Sequence, residues 1–444
     1  MFSLEDILLA KSIAVVGASN NPNKMGHTLI KNIVDGGFEG KIYPVNLKED
    51  KILGIRAYPD ISSIPENIDL VVVSVPAFAV QDIIKQAGEK GVKGAIIISG
   101  GFKEIGNHDL EKEVLKTARE YGMRIIGPNC QGVNYTANKM CATWPLVKTQ
   151  GSIGVVSQSG TIGATIELWA EREDMGVSCF ASLGNKSDIS ETDFVEYFAD
   201  DPNTKVVALN IEGIQEGEAF VDTMVRTSHK KPIVVLKPGR TAKGIEAVAS
   251  HTKSIAGNDK IFSAFCKKHG IVRANDITEF YDFCKIAATS RKPKGNKMLI
   301  ITSSGGAGII ATDTAEKIGI DIAPISHELK RKLEDILPDQ CVLSNPLDLT
   351  GDATAERYEK TLKAVMDDGN FDLLLTIFGD PIPGAFEVIN KFKSNSKAQI
   401  IVSYLGGGDV EEQEVKLMNR NNIPAFPTPE RAVKAAKALL EFKK

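Results

Sequence analysis

Short apolar runs alternate with amphipathic helical patterns from one end of this chain to the other. No other feature restricts the fold as much. Runs of Val, Ile and Leu with no polar face read as strands buried on both sides, and such strands need helices over both faces of a parallel sheet. The first block has runs at residues 13–16, 41–45, 70–75, 95–98 and 124–126, with helix candidates at 27–34 and 80–90. A loop-like stretch at 129–150 precedes a second block, with runs at 153–156, 177–181, 206–211 and 233–236. The polar, basic, turn-rich segment Ser290-Arg291-Lys292-Pro293-Lys294-Gly295-Asn296-Lys297 reads as a linker. A third block follows, with runs at 298–302, 373–378 and 400–404. At 444 residues the chain is too long for one ordinary core, and about three domains are expected.

The second and third blocks open alike. Gly154-Val155-Val156-Ser157-Gln158-Ser159-Gly160-Thr161-Ile162-Gly163 resembles Leu299-Ile300-Ile301-Thr302-Ser303-Ser304-Gly305-Gly306-Ala307-Gly308 position for position. Each reads as a buried strand, a hydroxyl- and glycine-rich turn and an apolar helix, so two copies of one flavodoxin-like fold are expected. The expected architecture is α/β throughout: a Rossmann-like domain over residues 1–128, then flavodoxin-like domains over 145–289 and 297–444.

Bulk properties remove several function classes. The formal charge of -4 offers no electrostatic case for a nucleic acid or a membrane, and no apolar run reaches bilayer-spanning length. Six cysteines without a CxxC pair fit a reducing cytoplasm and argue against a zinc or iron–sulfur site, so no bound metal is expected. The start, Met1-Phe2-Ser3-Leu4-Glu5-Asp6, lacks the basic opening of a secretory signal, and a cytoplasmic location is expected.

The first strand runs into Gly17-Ala18-Ser19, a tight turn, and Gly26 opens the next helix. Gly17 lets backbone approach a ligand, and the helix start offers amides to an anion. A dinucleotide fingerprint needs a second glycine where Ser19 stands, and a carboxylate near the end of the second strand. That strand ends instead in Asn46-Leu47-Lys48, which suits a phosphorylated ribose, either the 3′-phosphate of coenzyme A or the 2′-phosphate of NADP. The plainer reading of Lys48 is a solvated surface lysine. Ser74-Val75-Pro76, Ser99-Gly100-Gly101 and Gly127-Pro128-Asn129-Cys130 close the other strands, and small residues there leave room for a thin pantetheine arm.

In the second block, Ser159 stands where a strand becomes a helix. There it can cap the helix while the amides around Gly160 and Thr161 face outward, and the helix dipole favours a phosphate at that spot. Glu212 ends a strongly apolar strand. His251 lies in Glu246-Ala247-Val248-Ala249-Ser250-His251-Thr252-Lys253-Ser254-Ile255-Ala256-Gly257, among small and hydroxyl residues. Neutral imidazole is a competent nucleophile near pH 7, and a carboxylate beside it fixes its tautomer. Neighbouring ends of a parallel sheet share one edge, so Glu212 and His251 are expected to meet. The plainer readings are an acidic helix cap and a loop-capping histidine.

Taken together, these elements resemble the α subunits of the NDP-forming acyl-CoA synthetases, the superfamily that includes succinyl-CoA synthetase. The third block, with Ser303-Ser304-Gly305-Gly306 and Asn345-Pro346-Leu347-Asp348, looks like the extra domain of the ADP-forming acetyl-CoA synthetases. The resemblance implies that His251 becomes phosphorylated and that Glu212 orients it. It places Gly17, Ala18, Ser19, Asn46, Lys48, Ser74, Val75, Pro76 and Ser99 on CoA-binding turns, Asn129 and Cys130 near the thiol end, and Ser159, Gly160 and Thr161 at the phosphate. Lys253, Leu47 and Gln131 depart from the family pattern. The implied reaction is acetyl-CoA + ADP + phosphate ⇌ acetate + ATP + CoA, through an acyl phosphate and a phosphohistidine. The chain shows no GxxxxGK[ST] segment and no ATP-grasp region, so a β subunit carrying that domain and binding Mg-ADP is expected, in a heterotetramer. The competing readings are a CoA-binding regulatory protein without catalysis, and an NADP-dependent reductase.

Overall fold

The structure, a computed structural model, describes residues 2–252 and 258–443, with backbone alone for 249–252. Contacts divide it into two compact units: Met1–Arg172 with Gly176–His269, and Glu173–Met175 with Gly270–Lys444. No helix among the described residues is long and apolar enough to cross a membrane.

The first unit contains two large sheets and a two-stranded ribbon, Lys51–Ile52 with Ile55–Arg56. In the first, strands β1 (Ser12–Val16), β2 (Lys41–Val45), β3 (Leu70–Val73), β4 (Gly94–Ile97) and β5 (Arg124–Ile126) pair in the order β2-β1-β3-β4-β5, all parallel. Strands β1, β3 and β4 are buried along their whole length, as their unbroken apolar sequences require. Chain direction reverses about β1, so the ends of β1 and β3 border a crevice where sheets of this kind bind ligands. Helix α1 (Met25–Asp35) buries Leu29, Ile30 and Ile33, and it lies so close to the first turn that a Cβ on Gly26 would come within 2.0 Å of the Gly17 carbonyl oxygen.

The stretch 129–150 is not the loop its composition suggests. It holds a hairpin, β6 (Val133–Tyr135) and β7 (Met140–Ala142), turned by Lys139 in the left-handed region at φ 52°. Strands this short carry too few residues for a period to register. Strands β8 (Gln150–Ser157), β9 (Val177–Ser182), β10 (Val206–Asn210) and β11 (Ile233–Leu236) follow, in the order β11-β10-β8-β9-β6-β7. Of these six strands only the hairpin runs antiparallel. Helix α4 (Gly160–Arg172; α2 is Val80–Glu89 and α3 His108–Glu120) leaves the end of β8. Helix α5 (Glu191–Asp200) opens with a capping box made by Ser190 and Asp193.

In the second unit, β12 (Lys297–Thr302), β13 (Val342–Leu343), β14 (Leu347–Asp348), β15 (Leu373–Phe378), β16 (Gln399–Tyr404) and β17 (Ala425–Phe426) pair in the order β13-β14-β12-β15-β16-β17. The expected duplication extends to hydrogen bonds. In one copy the Ser157 hydroxyl donates to the Ser159 carbonyl, and in the other the Thr302 hydroxyl donates to the Ser304 carbonyl at 2.9 Å. Residues 290–296 carry no helix or strand, and the unit reaches back beyond them to Gly270. The helix Ile277–Thr289 is held to the final helix, Pro429–Glu441, by Arg431, which grips both oxygens of Asp282 at 2.7 Å.

Glu167, in the middle of α4, is fully buried. One oxygen accepts from Asn134 Nδ2 at 2.5 Å, and the other has no partner among the described residues. Burial pushes its carboxyl up to about 8, against an ordinary value of 4.5, and the Asn134 bond only partly offsets this. The folded chain therefore holds this proton more tightly than the unfolded chain, and the stability it contributes is lost as pH climbs from 4.5 through about 8. A Glu167→Gln variant should gain on wild type across that window, by a few kcal/mol at its upper end, in a denaturant-unfolding series. Parallel stability curves would refute a protonated acid at this position.

Candidate active site

The crevice between β1 and β3 is made by backbone as much as by side chains. Gly17 has φ 90°, and a Cβ there would lie 2.4 Å from the Ser74 carbonyl oxygen, so only glycine fits. Ala18 and Ser19 are buried. Asn46 donates to the Ala18 carbonyl at 2.8 Å and accepts from the Lys48 amide at 2.8 Å, which ties the end of β2 to the first turn. The Ser99 hydroxyl accepts from the Val75 amide at 3.2 Å. Lys48 and Pro76 are exposed at the rim, beside Leu47, which is 86% exposed. Sequence reasoning passed over Glu49, a carboxylate that closes on the same turn. It accepts from the Ser19 hydroxyl at 3.4 Å and from the Asn20 amide at 3.4 Å.

A pocket of about 460 Å³ lies beyond the loop after β4. Its lining brings together five of the expected residues, Asn129, Ser159, Gly160, Thr161 and Glu212. The Ser159 carbonyl accepts from Gly163 N at 3.2 Å and from the Ser157 hydroxyl, so it faces into α4. The amides that follow, at Gly160 and Thr161, belong to the first turn and have no acceptor within the helix. Asn210 donates to Ser157 Oγ at 3.0 Å and holds that hydroxyl in place. Gln158 uses Oε1 to accept from the amides of Glu212, at 3.0 Å, and Gly213, at 3.3 Å. The start of α4 and the carboxylate-bearing strand end are therefore one braced assembly. Glu212 is buried, and its carbonyl accepts from Lys237 Nζ at 3.3 Å.

The pocket also holds residues that the sequence did not flag: Lys103, Glu104, Asn185 and Lys186. Asn185 donates to Glu104 at 2.7 Å and to Glu111 at 2.8 Å, while Lys103 reaches the Asn185 carbonyl at 2.6 Å and Glu111 at 3.2 Å. Lys186 is buried and paired with Glu191 at 2.9 Å. Asn129 (φ 58°) and Lys186 (φ 43°) both adopt left-handed backbone. Between them Gly184 lies so close to Asn129 that a Cβ would sit 2.2 Å from its carbonyl oxygen. Strain clustered at one wall is a mark of a functional site. The crevice and the pocket share a border, because a Cβ on Gly100 would lie 3.1 Å from Asn129 Oδ1 and 3.4 Å from Glu104 Oε1.

Cys130 does not join the pocket wall. Its thiol is buried, it donates to the Ile97 carbonyl at 3.3 Å, and burial pushes it up to about 12, so it is no thiolate. Gln131 lays its side chain along the start of α4, where a Cβ on Gly160 would come within 2.5 Å of Oε1. His251 falls on the last turn of the helix Ala242–Thr252, and its side chain lies outside the described residues, as does Lys253.

Three segments of the chain match known protein families. Residues 11–136 match a family described as a CoA binding domain, residues 150–287 a succinyl-CoA ligase like flavodoxin domain, and residues 298–442 a ligase-CoA domain. The chain is 38% identical to the α subunit of acetate–CoA ligase [ADP-forming] I of Pyrococcus furiosus, over 100% of this chain and 98% of that one. It is 39% identical to the acetate–CoA ligase [ADP-forming] of Methanocaldococcus jannaschii, covering 99% of this chain and 63% of that longer protein. Among solved structures, the dinucleotide forming acetyl-coenzyme A synthetase 1 of Ca. Korarchaeum cryptofilum, in complex with phosphate and ADP, superposes with a TM-score of 0.91 at 36% identity, over 100% of this chain and 97% of that chain.

Gln158 supplies a direct test of the braced assembly. Removing its amide in Gln158→Ala leaves two strand-end N–H groups without their acceptor, at a cost of about 1–3 kcal/mol. Phosphate-dependent turnover should drop by roughly tenfold to a hundredfold as Glu212 shifts, with coenzyme A affinity, read by titration calorimetry, held within twofold.

Proposed function

The chain belongs to the ADP-forming acetate–CoA ligase family, as an α-type subunit, and from that premise we propose that it converts an acyl-CoA and phosphate to an acyl phosphate and passes the phosphoryl group to its own His251. The family relationship favours this catalytic reading over a CoA-binding protein that does no chemistry. Within the chain, the observation that carries it is the pocket where Ser159, Gly160 and Thr161 share one wall system with Glu212 and Asn129.

Coenzyme A lies in the crevice, with its backbone against Gly17, Ala18, Ser19, Ser74, Val75 and Pro76, Ser99 beside the pantetheine arm, and its 3′-phosphate toward Asn46 and Lys48. The thioester then arrives at Asn129. A phosphate oxygen attacks the acyl carbonyl, the carbon–sulfur bond breaks, and CoA leaves as the thiolate. The amides of Gly160 and Thr161, at the positive end of α4, stabilise the charge that develops on the phosphoryl oxygens. Neutral His251 attacks phosphorus, the bond to the acyl oxygen breaks, and the carboxylate is released. Glu212 holds the imidazolium side of the phosphorylated ring. Transfer to Mg-ADP yields ATP, and this step takes place on a β subunit carrying an ATP-grasp domain, in a heterotetramer. Because the ring carries the phosphoryl group between the two steps, acyl-CoA and nucleotide never share a pocket.

Acetyl-CoA and labelled phosphate should place an acid-labile label on the wild-type chain. His251→Asn should abolish that label and retain coenzyme A binding, and a label persisting in the variant would sink the assignment. Mixed with Mg-ADP, the isolated chain should keep its label and make no ATP until the β subunit is added. ATP formed by the chain alone would dispose of the division of labour.

A further inference from the structure

Glu104 has no part in the mechanism above, yet it lines the pocket. Its carboxylate is fixed. Oε1 accepts from the amides of Gly101 and Phe102, the latter at 3.1 Å, and Oε2 accepts from Asn185 at 2.7 Å. All three donors are neutral N–H groups. The neighbouring Lys103 directs its ammonium to Glu111 and to the Asn185 carbonyl. Burial pushes the Glu104 carboxyl up, but the bonds from Asn185 and the loop amides outweigh it and leave the group below the usual carboxylate range. It is therefore charged at neutral pH. Its loop borders the crevice at Asn129, and on the reading above an acyl group delivered from that crevice enters the pocket there.

We infer that Glu104 is a specificity-determining residue that turns away acids bearing a second carboxylate, so that the pocket accepts monocarboxylic acyl groups. The inference rests on the acyl phosphate reading of this same pocket. A neutral acyl chain meets no penalty beside Glu104. A second carboxylate meets a like charge that cannot swing aside, in a wall partly withdrawn from water, and discrimination of this kind comes from repulsion against the wrong substrate.

The test uses the complex of this chain with its β subunit, in the acid-activating direction. kcat/KM is measured for acetate and for succinate with wild type, Glu104→Gln and Glu104→Ala, and thermal melts establish that each variant is folded. The ratio of succinate to acetate should rise at least tenfold in both variants. A loss shared equally by the two acids, with the ratio unchanged, would show that Glu104 only braces the loop and would overturn the inference. Wild-type failure on acetate would instead overturn the reading beneath it.

Discussion

Arg124 holds the catalytic unit together. Its guanidinium donates to Asp188 at 2.8 Å and to Asp193 at 2.9 Å, from the first residue of β5 to the segment leading into α5 and to the first turn of that helix. Backbone pairing continues the seam: Ile189 N bonds the Ile125 carbonyl at 3.1 Å, Ser187 N the Gly127 carbonyl at 3.0 Å, and Asn185 N the Pro128 carbonyl at 2.9 Å. Burial alone would push the Arg124 guanidinium down, yet its two carboxylates hold it above its ordinary value. An ion pair this sheltered adds little net stability, but removing one partner strands a charge and is costly. What the seam supplies is register. It carries the loop holding Asn185 and Lys186 alongside Asn129, so one sheet brings the crevice and the other the helix start, and the pocket exists only where they are stitched.

The two flavodoxin-like copies show what an anion site requires beyond its motif. Both have a hydroxyl at the strand end that turns a serine carbonyl into the helix, and both begin the helix at glycine. In the first copy the helix start opens on the pocket. In the second, Asp348 lies against Gly305, where a Cβ would come within 2.7 Å of its carboxylate. A carboxylate at that place meets the helix dipole from within the protein. The same sequence pattern thus opens on a pocket in one copy and faces a carboxylate in the other, supplied by the residue that arrives from the adjacent strand.

This difference also explains what could be read from the chain before its structure. Strands such as β1, β3 and β4 were legible because their apolar runs are unbroken, and the turns at Gly17 and Ser159 because glycine and hydroxyl residues mark strand ends. The hairpin β6–β7 was not, since three-residue strands leave no period. Nor were Lys103, Glu104, Asn185 and Lys186, which belong to no motif and meet across a large sequence separation. The one local signal was Gly184, whose need for φ 53° beside Asn129 shows only in three dimensions. Nor does the sequence show which way Cys130 points: it follows Asn129 in the chain, but its side chain turns into the core.

The pocket's electrostatics follow from which groups are fixed and by what. Gly160 and Thr161 present dipoles set by helix geometry, and Gln158, Asn210 and Ser157 lock that geometry with neutral hydrogen bonds. The lysines at the wall are engaged elsewhere, Lys186 by the buried Glu191 and Lys103 by Glu111. A site that relied on mobile cations would bind phosphate tightly and have to release them again at each transfer. One built from oriented amides stabilises charge where it develops, with little reorganisation. The pocket's positive pole is thus backbone while its charged side chains keep the walls in place, an arrangement that fits the brief phosphoryl hold proposed for it.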